Sequence, residues 1–240
     1  MRKIFIPLWL ALAAVAVPAS AQSPHLADKL AKLAASGNSE AQYHLGMLYN
    51  NGLGVDKDPR RAFALFRKAA AGGDPLGHYK LGCYYDGEFE GVVAPDAAEA
   101  LRHKLIAAEA GYSLAELDVA IHYYKAKDYA AAFRWFEAAA RQKDPQALYN
   151  LSAMYRSGLG TAASAPRAWA FFRLAHLASK GSVGPGAQAT LDEMWAKLSP
   201  SERVEAERTA TGFVTGRTAF TERALHGLER AEALVRGSAG

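Results

Sequence analysis

The sequence predicts an all-α fold, an array of repeated helix-turn-helix pairs, on three observations. A four-part signature recurs: alanine or glycine first, leucine or valine four places on, a small residue at five, and tyrosine at eight. It opens at Ala41, Gly77, Ala115 and Ala147, and self-similarity over this length marks a repeat architecture whose units cannot bury their apolar faces alone. Half of the residues are apolar (50 %), alanine is abundant and β-branched residues are few, which favours helix. The signature also has helical spacing, because its four positions fall within about a 140° arc at 100° per residue.

Residues 1–21 read as a cleavable signal. Arg2 and Lys3 make a positive start, and Ile4 to Val17 form an apolar run broken by Pro7. Ala19-Ser20-Ala21 then offers a signal peptidase its small residues. The run falls short of the roughly 20 apolar residues that a membrane-spanning helix needs. The mature chain is then expected to begin at Gln22 in a bacterial periplasm or outside the cell. Loss of Arg2 and Lys3 takes two from the formal +4 charge and leaves a nearly neutral chain. No basic cluster accompanies the high pI, so no nucleic-acid partner is expected. Cys83 is the single cysteine, which excludes an intramolecular disulfide and puts stability on packed apolar surface.

The half-repeat comes first, within 22–37, where Leu26 to Ser36 (LADKLAKLAAS) caps the front of the array. Four units follow, over 38–73, 74–111, 112–143 and 144–181. Their first helices carry a tyrosine column (Tyr49, Tyr85, Tyr123, Tyr155), an aliphatic column (Leu45, Leu81, Val119, Leu151) and a small column (Gly46, Gly82, Ala120, Ser152). A small residue among large ones lets a neighbouring helix approach closely, and the tyrosines wedge between helices. Catalytic residues do not recur once per unit, so these columns read as packing. Glycine turns follow at Asn51-Gly52-Leu53-Gly54 and Ser157-Gly158-Leu159-Gly160. They come after a helix and not after a strand, so they are not phosphate loops. Asp58-Pro59 and Ala165-Pro166 open second helices, where proline is tolerated. Arg61 to Arg67 (RAFALFR) is echoed by Arg167 to Arg173 (RAWAFFR), and unit three supplies Ala132-Phe133-Arg134-Trp135-Phe136.

This pattern, A-x-Y-x-L-G-x-x-Y-x-x-G-x-G-V-x-x-D followed by K/R-A-x-x-x-F and A-A-x-x-G, resembles the Sel-one-like repeat (SLR), a relative of the tetratricopeptide repeat. Residues 41–73 match almost position by position, and the resemblance covers about 35–210. It implies a right-handed α/α superhelical solenoid that binds a protein partner on a concave surface lined by its first helices. It implies no enzymatic activity and no cofactor. Unit two departs from the pattern with the acidic stretch Asp86-Gly87-Glu88-Phe89-Glu90-Gly91, expected to be a solvated insertion because a calcium loop needs more oxygens in a set order. Unit three replaces the glycine turn with Lys125-Ala126-Lys127-Asp128.

Gly181 to Gly186 reads as a connector that cannot continue a helix. A capping pair over 187–214 follows, its second helix opened by Ser199-Pro200-Ser201-Glu202. In the tail, 215–240, Leu225, Leu228, Ala231, Leu234 and Val235 fit an amphipathic helix that docks on a partner or a membrane surface, or else a weakly ordered end.

No HExxH, GxSxG or SxxK motif is present, and none of the seven histidines shares a turn with another. Glu40–His44, Glu99–His103, Asp118–His122 and Glu222–His226 have the spacing of surface charge pairs, whereas zinc takes three or four protein ligands. No catalytic, cofactor or metal residue is therefore expected, and Cys83 reads as a small buried hydrophobe. The candidate partner-binding residues are those that vary between units at offsets three, seven and ten of the first helices. They are His44, Asn51, Lys80, Tyr84, Asp118, His122, Lys125, Asn150 and Met154, with Tyr84 and His122 near the centre. His44 and His122 on one exposed strip would titrate together near pH 6.5 and make the contact acid-sensing. The expected function is a secreted or periplasmic protein-interaction scaffold, of the kind that regulates a membrane sensor or neutralises a secreted effector. The alternative is a hydrolase of cell-wall or β-lactam-type substrates, which would need a polar constellation in a cleft. No transmembrane segment is expected in the mature chain; the tail is the one candidate for peripheral membrane contact.

Overall fold

The computed structural model describes residues 24–179 and 186–238. The expected signal segment, and the connector apart from Gly186, lie outside the described residues. Thirteen α-helices and no strand occur among the described residues, which makes the chain an all-α repeat solenoid. Helix α1 (Pro24–Ala35) is the front half-repeat. Helices α2 (Ser39–Asn51) and α3 (Pro59–Ala71), α4 (Pro75–Tyr85) and α5 (Ala97–Glu109), α6 (Ser113–Lys125) and α7 (Tyr129–Arg141), and α8 (Pro145–Ser157) and α9 (Ala165–Ala178) form the pairs. Helices α10 (Ala187–Ala196) and α11 (Pro200–Gly212) pack on α9, and α12 (Ala219–Leu225) and α13 (Gly227–Gly237) end the chain.

Short polar residues start these helices by satisfying backbone N–H groups that have no partner inside the helix. Asn38, Asp58, Asp74, Asp96, Asp128, Asp144 and Ser164 each accept from an amide of the turn they open. Helix α6 begins at Tyr112 with no side-chain cap. Ser199 and Glu202 complete a reciprocal capping box on α11. The turn that replaces glycine in unit three holds Lys127 at φ 64°, and Lys143 stands at φ 65° before the next unit.

The small column permits the close approach expected of it. A Cβ added to Gly46 would lie 2.7 Å from Cε1 of Phe66, so α3 crosses α2 at a distance that only glycine allows. At the equivalent place in unit four, Ser152 Oγ donates to the Ala168 carbonyl at 2.7 Å. Four apolar clusters run along the array, and column tyrosines join them. Tyr49 packs against both the front cluster (Leu30, Leu45, Leu48) and the next one (Phe66, Leu81, Val119). Tyr123 joins that cluster to the one around Phe136, Leu151 and Met154. At the far end the Trp169 ring packs at a tilt 4.5 Å from Trp195 and its Nε1 donates to the Leu191 carbonyl, closing the array against α10.

The tail is helical with an apolar side, as one of its expected forms has it, but that side packs on the chain itself. Helices α12 and α13 fold back on the chain's own array, α12 against α4 and α13 against α1 and α2. Ala231 and Val235 are buried in the front cluster with Leu26, Ala27 and Leu30. The apolar side of α13 is thus covered internally.

Candidate partner-binding surface

The expected strip splits in two. Tyr84 and Met154 are fully buried and His44 nearly so (0 %, 1 % and 2 % exposed), which corrects their placement on an open surface. The reason is that each first helix is packed on two sides, by the second helix of its own unit and by the unit before it. In units two and four offset seven points at the preceding unit, whereas His122 at that offset of unit three stays exposed: the Tyr84 ring lies 5.3 Å from Phe63 and 6.0 Å from Phe66, with its hydroxyl on Asn50 Oδ1 at 2.9 Å. Met154 fills the same place against the cluster around Phe136. Helix α2 is enclosed by α1, α3 and α13, which buries His44 with Nε2 3.5 Å from Glu40 Oε1. The two histidines proposed to titrate on one strip are therefore in different environments, since only His122 is exposed.

The other residues stay at or near the surface. Asn51, His122 and Lys125 are exposed; Lys80, Asp118 and Asn150 are half-buried. Lys80 grips Glu88 at 2.8 Å, and Asp118 lies 2.6 Å from Lys104. The acidic stretch of unit two is exposed at every position but Phe89, as expected of a solvated insertion, and it is also pinned to the array. Asp86 pairs with Lys104, the Phe89 ring packs 5.0 Å from Tyr84, and Arg60 donates to the Gly91 carbonyl at 2.7 Å.

Lys104 is the residue that sequence reasoning missed. Counted eight places from the caps Asp58, Asp96, Asp128 and Ser164, the second helices present Phe66, Lys104, Phe136 and Phe172. Lys104 thus occupies a core column with its stem against Gly82, where an added Cβ would meet its Cγ at 2.7 Å. Burial works against its charge, but Asp118 and Asp86 outweigh that and hold the ammonium well above the usual lysine range. Burial also pushes the neighbouring Cys83 thiol up to about 11, so at neutral pH this half-buried group stays protonated.

In two of the acid–histidine pairs, Glu40–His44 and Glu99–His103, the histidine is buried while the carboxylate stays nearer the surface. His103 is buried and meets His78 Nδ1 to Nδ1 at 2.8 Å, and burial, with Arg102 adding, depresses it to about 4. Among the described residues no group of three or more histidine, cysteine, aspartate or glutamate side chains could hold a metal ion.

A second polar surface lies under the tail, along the turns that join one unit to the next. Gln142 is its hub. Its Nε2 donates to the Gly111 carbonyl and to Glu116 Oε2, each at 2.8 Å, while its Oε1 accepts from Thr221 Oγ1 at 2.6 Å and Thr218 N at 3.1 Å. Thr221 Oγ1 accepts from the amide of Ser113 at 3.1 Å. Further along, Arg223 donates to both oxygens of the buried Asp74, at 2.6 and 2.7 Å, and lies over the Tyr43 ring. Arg230 reaches Glu40 at 3.3 Å. His44 is the largest cause holding the Glu40 carboxyl down at about 2, with Arg223 and Arg230 adding to it. Neither arginine pairing has a local sequence signal, because the partners stand 149 and 190 positions apart.

Comparison with known proteins agrees with this architecture. A Sel1 repeat protein of Oxalobacter formigenes has the same fold, with a TM-score of 0.60 at 23 % identity over 82 % of this chain and 86 % of that one. A protective antigen of uropathogenic Escherichia coli, described as displaying an SLR fold, gives 0.49 at 25 % identity over 77 % of this chain and 47 % of that one. An uncharacterised protein of Neisseria meningitidis serogroup B is 33 % identical over 136 residues, which is 52 % of this chain and only 26 % of that protein's length. The Sel1 repeat profile itself matches residues 39–74, 75–112, 122–144 and 145–175, more than half of the sequence. With its helix pairs, its small and tyrosine columns and these four matches, the chain belongs to the Sel1 repeat family.

Proposed function

We propose that this protein is a secreted or periplasmic scaffold that holds a protein partner on the varying face of its array. Sel1 repeat proteins generally act as protein–protein interaction scaffolds and are typically non-enzymatic. The observation that carries the reading to particular residues is that six varying positions stay at or near the surface, although His44, Tyr84 and Met154 do not. Positions that recur are packed, while Asn51, Lys80, Asp118, His122, Lys125 and Asn150 differ from unit to unit and lie at or near the surface. Ion pairs fix Lys80 and Asp118 in place before any partner arrives, which lowers the entropy lost on binding. The periplasmic assignment rests on the charged start, apolar run and small-residue site of residues 1–21. Two finer roles suit a scaffold exported in this way, regulation of a membrane sensor and neutralisation of a secreted effector.

The test places a photo-crosslinking residue at His122 and, as a control, at Arg134, which is exposed on the second helix of the same unit. The same partner protein is expected from a periplasmic extract with the first and not with the second. Equal capture from both positions rejects this face. N-terminal sequencing of the exported protein is expected to begin at Gln22.

A further inference from the structure

The surface under the tail has a chemistry that points to what it binds. Each carboxylate on it comes from the start of a first helix: Glu40 from α2, the cap Asp74 from α4, Glu116 from α6. Asp74 is 3 % exposed, so its charge is out of reach of water and needs a cation. Its Oδ1 also caps α4 by accepting from the amides of Leu76 and Gly77. The site therefore persists as part of the helix start whether or not a guanidinium sits against it. Arg223 reaches both oxygens through the one nitrogen Nη2 while its guanidinium lies over the Tyr43 and Phe220 rings, a flat-faced contact that suits arginine better than the point charge of lysine.

The tail supplies that match. Its arginines stand at 217, 223, 230 and 236, and the two central ones reach Asp74 and Glu40. The tail is tied to the array only through residues 213–218, which are not helical. Helices as short as α12, of 7 residues, and α13, of 11, are marginal in water by themselves and owe their order to the surface they lie on. The four helix pairs keep their own packing if the tail leaves, and only the front half-repeat loses a neighbour, since Ala231 and Val235 share its cluster.

We propose that this edge of the array is a docking surface for an arginine-bearing helical segment of a protein partner, and that residues 213–238 occupy it as an internal stand-in which the partner displaces. The proposal rests on the scaffold reading and adds to it the partner's chemistry and a second contact surface. Thr218 and Thr221 show what else the incoming segment presents, since hydroxyls one helical turn apart satisfy Gln142 and the Gly111 carbonyl. The internal segment weakens partner binding by the fraction of molecules in which it stays docked, which gives the surface a built-in threshold.

The test uses the full-length protein and a labelled peptide of residues 213–238 as probe. Wild type is expected to bind the peptide weakly, because its own tail competes at high effective concentration. Arg223→Gln is expected to bind it at least tenfold more tightly. Adding Asp74→Asn to that variant, or using a peptide with the Arg223→Gln change, is expected to abolish the gain. No gain in Arg223→Gln overturns the proposal. Should that variant not fold, a protease site inserted within 213–218 and cut after folding opens the same exchange, and failure of the peptide to exchange then overturns it. Exchange of tails between two copies, seen as a dimer by light scattering in place of peptide binding, also overturns it. A partner captured through His122 that binds wild type and Asp74→Asn equally leaves the scaffold reading standing and removes this surface from it.

Discussion

At Glu116 a carboxyl is held beneath Gln142, where burial raises its pKa to about 7 and the amide of Gln142 offsets only part of that. Because the folded value lies above the unfolded value of 4.5, the fold binds this proton more tightly than the unfolded chain does. The stability this provides is complete below pH 4.5 and is lost as the pH rises through about 7. Glu116→Gln keeps an acceptor for Gln142 and removes the charge. It is expected to stabilise the protein at pH 8 by roughly 2 kcal/mol relative to wild type and to change nothing at pH 4.5, read from urea unfolding at both. Tyr84 and His122, equivalent positions in successive units, separate stability from binding. Tyr84→Phe removes the donor to Asn50 and is expected to cost about 1–2 kcal/mol with no loss of partner affinity. His122→Ala is expected to leave the melting temperature unchanged and to weaken the partner, measured by titration with the captured protein.

Among the elements, α5 is the exception in the set of second helices. Phe66, Phe136 and Phe172 fill their column with rings, whereas Lys104 fills it with a stem and carries its charge to Asp86 and Asp118. Removing one member of such a group leaves the others uncompensated, while replacing the set with apolar and neutral groups does not. Lys104→Ala is expected to destabilise by about 3 kcal/mol, and Lys104→Met combined with Asp118→Asn by less than about 1 kcal/mol, compared by chemical denaturation. The position was legible in the sequence, because the column could be counted from the helix caps. Its partners were not, since nothing local shows that Asp86 and Asp118 converge on it. The first helices teach the converse. Helical periodicity separates an apolar face from the rest, and so assigned His44, Tyr84 and Met154 to the open side. A helix inside a stack has a neighbour on each side, and the second neighbour lies in another unit, beyond the reach of spacing within one helix.

For the whole molecule the decisive feature is that both described ends of the chain meet. Solenoid units contact only their neighbours, so end units are the first to open. Here α13 lies on α1 and α2 and holds the front half-repeat in place. Val235→Asp puts a charge into the front cluster and is expected to release α13. Amide hydrogen exchange should then quicken in α1 and α13 together and remain slow in α8 and α9. Exchange confined to α13 would show that α1 holds without it.

The sequence by itself determined the helices, their pairing and the family, because caps, periodicity and recurring columns are local properties that each unit restates. It also exposed the residues that fail to recur. Only the tertiary structure decided which of those reach solvent, because burial depends on the next unit in the stack. It alone decided where the tail goes, because the pairing of Arg223 with Asp74 spans 149 positions and two charges that far apart acquire meaning only when the fold brings them together.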